Sequence, residues 1–108
     1  MALAEQAYRL TARFPRDEVC GMTSQIRRAS VSIAANIAEG HGRENSGSFI
    51  QFLRMSQGSL KELETHLLLS ERVKLAKMEE LDPLLKRCDD LGKMTRSLIR
   101  SIQRRQSQ

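Results

Sequence analysis

"MTSQIRRASVSIAANIAEGHGREN", Met22 to Asn45, places its apolar residues at helical rather than strand spacing. On a wheel of about 100° per residue, Met22, Ile26, Ala29, Ile33 and Ile37 share one face, which predicts an amphipathic helix. The end of the stretch raises a second question, because Gly40-His41-Gly42 beside Glu39 and Arg43 has the letters of a phosphate loop. A phosphate loop follows a strand and opens a helix. These glycines close a helix instead, and are expected in the left-handed conformation that ends one and reverses the chain. Ser46 or Ser48 is then placed to cap the next helix.

The same spacing extends in both directions. Residues 1 to about 13 carry Leu3, Ala7 and Leu10, then Phe14, on one face, with Pro15 as the stop. The opening stretch belongs to a second helix over about 18–40. A third is predicted over about 48–74, with Phe49, Phe52, Leu53, Leu60, Leu63 and Leu67 on its inner stripe. A fourth, over about 78–104, turns Leu84, Cys88, Leu91, Leu98 and Ile102 inward. Pro83 leaves the start of that helix open between Lys77 and Asp82, since Asp82 as N-cap would put proline at the first helical position. Four helices with short loops must run up and down beside one another. The fold class is therefore all-α, an antiparallel up-and-down four-helix bundle forming one domain over residues 1–108.

Charge separates one segment from the rest. The chain of 108 residues has 18 Lys and Arg against 13 Asp and Glu, a net charge of +5. Residues 1–90 balance, so the whole excess lies in Lys93, Arg96, Arg100, Arg104 and Arg105. No apolar run is long enough to span a membrane, and the N-terminus lacks the pattern of a signal peptide, so a cytoplasmic protein is expected. Cys20 and Cys88 have no metal-ligand spacing and are expected as buried small hydrophobes in a reduced compartment; no metal or cofactor is assigned. His41 and His66 stand far apart and suggest no catalytic set.

Three surfaces depart from a plain bundle. The back of the second helix is apolar too, with Val31, Ala34, Ala35 and Ala38 interrupted mainly by Arg27, and is expected to meet another subunit. Between its two apolar faces runs a polar flank of Gln25, Ser32, Asn36, Glu39 and Arg43. Asn36, Glu39 and Glu64 are expected to form a hydrogen-bonded layer with Arg27 or Arg28 of a neighbouring subunit, a seam that sets assembly register. Such a carboxylate pair lacks a pocket-forming motif, metal ligand or nucleophile, so no catalytic residue is assigned and the protein is expected not to be an enzyme. On the fourth helix, Lys86, Lys93, Arg96, Arg100 and Arg104 fall within an arc of about 80° away from the core, followed by Arg105. Acids do not interleave after Asp90. Multiplied around an oligomer, that stripe suits nucleic-acid phosphates, and the absence of interleaved aromatics argues against base stacking.

"LTARFP" (10–15), "GMTSQIRRASVSIAANIAEGHGR" (21–43) and "FIQFLRMSQGSLKELETHLLLSERVKL" (49–75), in that order, closely resemble the "four helix bundle protein" family. That family includes the intervening-sequence proteins encoded within bacterial large-subunit ribosomal RNA genes and, more distantly, the accessory variability proteins of diversity-generating retroelements. The resemblance implies a bundle assembling as a ring-like homopentamer without known catalysis. For the retroelement relatives it also implies a basic surface that engages nucleic acid and a reverse transcriptase. The matching positions include Gln25, Arg27, Arg28, Asn36, Glu39, Gly40, Gly42, Arg43, Gly58, Ser59 and Glu64. Two departures are visible. The aromatic-containing segment typical before the first helix is missing, which leaves open whether the chain starts at its natural beginning, and Ala34-Ala35 stand where Pro-Ser or similar is common. The expectation is a bacterial, non-enzymatic homo-oligomer that binds RNA or DNA, or a ribosomal RNA-associated or reverse-transcriptase partner, through Lys86, Lys93, Arg96, Arg100, Arg104 and Arg105. The alternative is an assembly scaffold with no nucleic-acid role.

Overall fold

The computed structural model describes residues 2–18 and 21–107. Four α-helices follow one another: α1 (Ala2–Thr11), α2 (Met22–His41), α3 (Ser46–Arg72) and α4 (Met78–Gln106), with a 3-10 turn at Arg16–Glu18 between the first two. No strand occurs among the described residues. Contacts between α2 and α3 pair residues in opposite order along the chain, from Arg28 with Glu62, through Ser32 with Ser59, to Gly40 with Phe52. The two are therefore antiparallel neighbours. The α3–α4 pairs also run in opposite order, from Leu60 beside Gly92 to Ile50 and Leu53 clustered with Ile99 and Ile102, and α1 packs on both α2 and α4.

Unequal helix lengths shape the bundle. At 1.5 Å per residue, α3 with 27 residues and α4 with 29 each run about 40 Å, whereas the 10 residues of α1 cover about 15 Å. The body is correspondingly long, 52 × 22 × 18 Å. Where α1 lies, the core is four helices thick: Leu3, Ala7 and Leu10 meet Ile26, Ala29, Leu63, Leu67, Leu81 and Cys88. Beyond α1 only Ile50, Leu53, Ile99 and Ile102 form a second buried cluster, joined to the first through Ile37.

Local chemistry explains the helix ends. Pro15 has no N–H to continue α1, and the chain turns with Phe14 N–H donating to Thr11 O at 3.0 Å. At the start of α2, Glu18 Oε1 accepts from Met22 N–H at 3.2 Å. Residue Asn45, not Ser46 or Ser48, caps α3, its Oδ1 accepting from Ser48 N–H at 3.0 Å. The fourth helix starts at Met78: Glu80 Oε1 accepts from Lys77 N–H at 3.0 Å in a capping box, so Pro83 lies inside the helix on its exposed side. Proline there removes one hydrogen bond to the Glu79 carbonyl, which water can replace on that face.

Two expectations about the α2–α3 turn are corrected. Neither Gly40 nor Gly42 is left-handed; Gly42 has φ −77° and ψ −5°, and no described glycine has positive φ. Gly40 is instead a buried helical residue. The left-handed residue is Lys74, φ 65°, in the turn between α3 and α4. Inner faces also rotate slightly from the pattern. Ile50, Ser56 and Ser70 of α3 are buried while Phe49 and Phe52 are half-buried, and Gly92, Thr95 and Ile99 of α4 are buried while Leu91 and Leu98 are half-buried. Small polar residues enter the core because their hydroxyls find backbone partners: Ser56 Oγ donates to Ile33 O at 3.1 Å, and Thr95 Oγ1 to Leu91 O at 2.7 Å. Cys88 is buried, as expected; Cys20 lies outside the described residues.

Candidate nucleic-acid interface

The polar flank of α2 is used within the chain. Ser32 Oγ and Ser59 Oγ meet at 2.9 Å between α2 and α3, and Asn36 Nδ2 donates to Ser32 O at 2.9 Å and to Ser32 Oγ at 3.1 Å. Above them Arg28 bonds Gln25 and reaches Glu62 at 3.5 Å, which in turn lies 3.6 Å from His66. Below them Arg43 pairs with Glu39 at 3.4 Å one turn back and lies 4.8 Å from the Phe52 ring centre. These contacts form one seam along α2 and α3.

The predicted layer is therefore divided. Arg27 turns the other way, toward α1: its Nε donates to Thr11 Oγ1 at 2.8 Å and its guanidinium lies 4.5 Å from the Tyr8 ring centre. Glu64 faces α4, where it shares a cleft with Cys88, Gly92 and Arg96. Wheel geometry could not show this, because a flank is defined by its partner helix and three different partners surround α2 and α3.

The basic row of α4 also divides. Lys86 pairs with Asp82 at 3.2 Å and Lys93 with Asp89 at 3.0 Å, each one turn earlier, which lowers their local positive field. Arg96, Arg100, Arg104 and Arg105 are exposed and form no ion pair among the described residues. Arg105 bonds only Ser101, at 3.3 Å. The first three stand one helical turn apart, about 6 Å. Such a row offers guanidinium groups at regular steps to an extended anion.

The back of α2 is exposed. Val31 retains 46% of its surface, Ala35 and Ala38 are exposed, and with Ala4, Ala34 and Ile37 they line an apolar groove that continues the line of α1. Past His41 the groove runs on to Leu91, Met94 and Leu98 of α4. Among the described residues no three His, Cys, Asp or Glu side chains gather as a metal site, and no helix is long and apolar enough to cross a membrane.

Over residues 1–97 the chain matches the family described as 23S rRNA-intervening sequence protein. It belongs to that family. A solved structure from Bacteroides thetaiotaomicron, described as a protein of unknown function from the S23 ribosomal protein family, superposes with a TM-score of 0.76. It shares 21% identity, with 90% of this chain and 97% of that one covered, so the fold is common to both. No curated protein matches the chain. Family membership accounts for the sequence resemblance through α3, and the superposition carries the helical fold across nine-tenths of the chain.

Sequence reasoning missed two features of this family member. Asp82 and Asp89 lie one turn before Lys86 and Lys93, an i,i+4 signal that was readable. Gly92, buried on α4, gave none, since a lone glycine in a helix does not disclose what lies across from it.

Proposed function

We propose that the protein is a non-enzymatic homo-oligomer that binds RNA in the cytoplasm through phosphate contacts to α4. The observation that carries this is the exposed row Arg96, Arg100, Arg104 and Arg105, without ion pairs among the described residues. Unpaired guanidiniums retain counterions that a phosphate backbone can displace, which makes binding favourable and strongly salt-dependent. The family's description by a ribosomal RNA intervening sequence supports RNA over other polyanions. A ribosomal RNA-associated protein or a reverse transcriptase would join as a partner already bound to nucleic acid.

Assembly is the second part of the proposal. The apolar back of α2, with Val31, Ala35 and Ala38 exposed, supports contact with another copy. A ring-like homopentamer, implied by the resemblance, would repeat the arginine row around its circumference. The exposed face also favours the scaffold alternative, in which assembly occurs without RNA. Anisotropy of a labelled RNA at about 50 and 200 mM salt separates the two. Three to four phosphate contacts give a log–log slope of about −2 to −3, hence about 20- to 50-fold weaker binding at the higher salt. Binding insensitive to salt and to the Arg96→Glu, Arg100→Glu double substitution overturns the RNA proposal; assembly with no RNA binding at either salt favours the scaffold.

A further inference from the structure

Gly92 sits in the middle of a 29-residue helix, where glycine costs about 1 kcal/mol relative to alanine. The missing side chain leaves room there for the tip of a neighbouring arginine. A Cβ at position 92 would stand 3.3 Å from Arg96 Nη1 and 3.5 Å from Leu60 Cδ2. The Arg96 guanidinium thus folds back over the glycine and lies across the α3–α4 groove. The groove there is a cleft of about 300 Å³, floored by Leu60, with Glu64 and Gln57 of α3 on one wall and Arg96 on the other; Cys88 lies behind the floor with no exposed surface.

Its charged groups are unevenly occupied. Asp89, also in the lining, is engaged by Lys93 at 3.0 Å. Arg96 has no ion-pair partner among the described residues, and Glu64, with 30% of its side chain exposed, meets only Lys61 at 3.9 Å. The cleft therefore presents a carboxylate and a guanidinium facing one space, each with bonding capacity left. Its volume is at the lower end of the ligand-pocket range, suited to one small planar group rather than a chain of them.

We propose that this cleft receives one unstacked guanine of the bound RNA; the assignment rests on the RNA binding proposed above. Guanine presents two donors on one edge, N1–H and N2–H, and two acceptors on another, O6 and N7. A carboxylate takes the first pair and a guanidinium the second. Adenine and cytosine each bring a single amino donor, and uracil a single ring N–H, so none satisfies both walls bidentately. No aromatic ring lines the cleft, so recognition is by base edges over an apolar floor. Arg100 and Arg104 continue from Arg96 along α4 at steps of about 6 Å, so a backbone leaving the cleft runs onto them. Phosphates then position the RNA and the cleft specifies one base.

The test uses the full chain and a labelled RNA hairpin of constant stem with one loop base set to G, A, U, C or inosine. The expected result is about tenfold tighter binding for G, with inosine, which keeps N1–H, O6 and N7 but lacks the N2 amine, falling between G and the other three. Glu64→Gln and Gly92→Leu should remove the preference while leaving the salt slope intact. Circular dichroism checks the fold, and Gly92→Ala, which only displaces the Arg96 tip, should reduce the preference should the leucine variant fail to fold. Equal affinity for all five hairpins, or a guanine preference unchanged in Glu64→Gln and in whichever Gly92 variant folds, overturns the cleft proposal and leaves the arginine row standing. Failure to bind any of the hairpins at low salt overturns the RNA proposal and this one together.

Discussion

Gly40 of α2 lies against the ring of Phe49 on α3, so closely that a Cβ at position 40 would stand 2.8 Å from Phe49 Cδ1 and 3.1 Å from the Phe52 Cβ. Phe49 also meets His41, with ring centres 4.9 Å apart. The glycine holds the two backbones together where the chain reverses.

Gly40→Ala should therefore destabilise the fold by about 1–2 kcal/mol, the strain of overpacking outweighing the helix propensity gained. Gly58 is its control: it is exposed on α3, and an added methyl there would meet nothing within 4 Å, so Gly58→Ala should stabilise by about 0.5–1 kcal/mol. Urea unfolding of the two variants should move the midpoint in opposite directions.

Arg27 joins α1 to α2. The Thr11 hydroxyl donates to Ala7 O at 2.8 Å and accepts from Arg27 Nε, while Tyr8 lies under the guanidinium. Arg27→Lys keeps the charge but loses the Nε donor and the planar stack, and should cost about 1–2 kcal/mol. A double-mutant cycle with Tyr8→Ala should return a coupling of about 0.5–1 kcal/mol. Additive effects would show that the stack contributes nothing.

Assembly should depend on the back of α2. Val31→Glu with Ala35→Glu places two charges on the exposed apolar face without touching the buried side of the helix. Light scattering should show the monomer mass with helical content unchanged. Native mass in the double variant would place the contact elsewhere.

Acid should weaken the start of α4. The Glu80 carboxyl is held below its usual value of 4.5, first by the Lys77 backbone N–H it accepts from and also by the Arg13 and Lys77 charges. A lowered folded pKa adds stability that is fully present above the unfolded value and is lost as pH falls through the folded one. Wild type should thus exceed Glu80→Gln in stability at pH 7, and the gap should close below pH of about 4. Urea titrations at both pH values check this.

Burial pushes the Cys88 thiol up to about 12, with Glu64 adding to the shift. The unfolded thiol ionises near 8.5, so this contribution to stability is complete below that pH and declines as pH rises from there toward 12. In a Cys20→Ser background, Cys88 should react with a thiol reagent only at the rate of unfolding. Rapid labelling of the native protein would contradict the burial.

The all-helical architecture, the helix order and most core positions were legible in the sequence. The periodicity of Ile26, Ala29 and Ile33, or of Leu60, Leu63 and Leu67, follows directly from 3.6 residues per turn and from the gain in burying one face. The arginine row was legible for the same reason. Cap identities were less so: Asn45 and two serines are all competent N-caps, and only the path of the turn selects among them. Glycines adopt the left-handed conformation without strain, so spacing points to Gly40 and Gly42, whereas Lys74 takes it where the chain must turn from α3 into α4.

Sequence alone determined where each helix runs and which of its faces is apolar, because both depend on neighbours three and four residues away. Only the tertiary structure decided which flank meets which helix: that Arg27 belongs to α1, Arg28 to Glu62, and Glu64 to the cleft beside Arg96. It likewise showed that Gly40 is a place where the neighbouring helix comes close, not a turn. Contacts between residues distant in the chain depend on how the helices rotate and stagger as they pack, and local spacing carries no record of that choice.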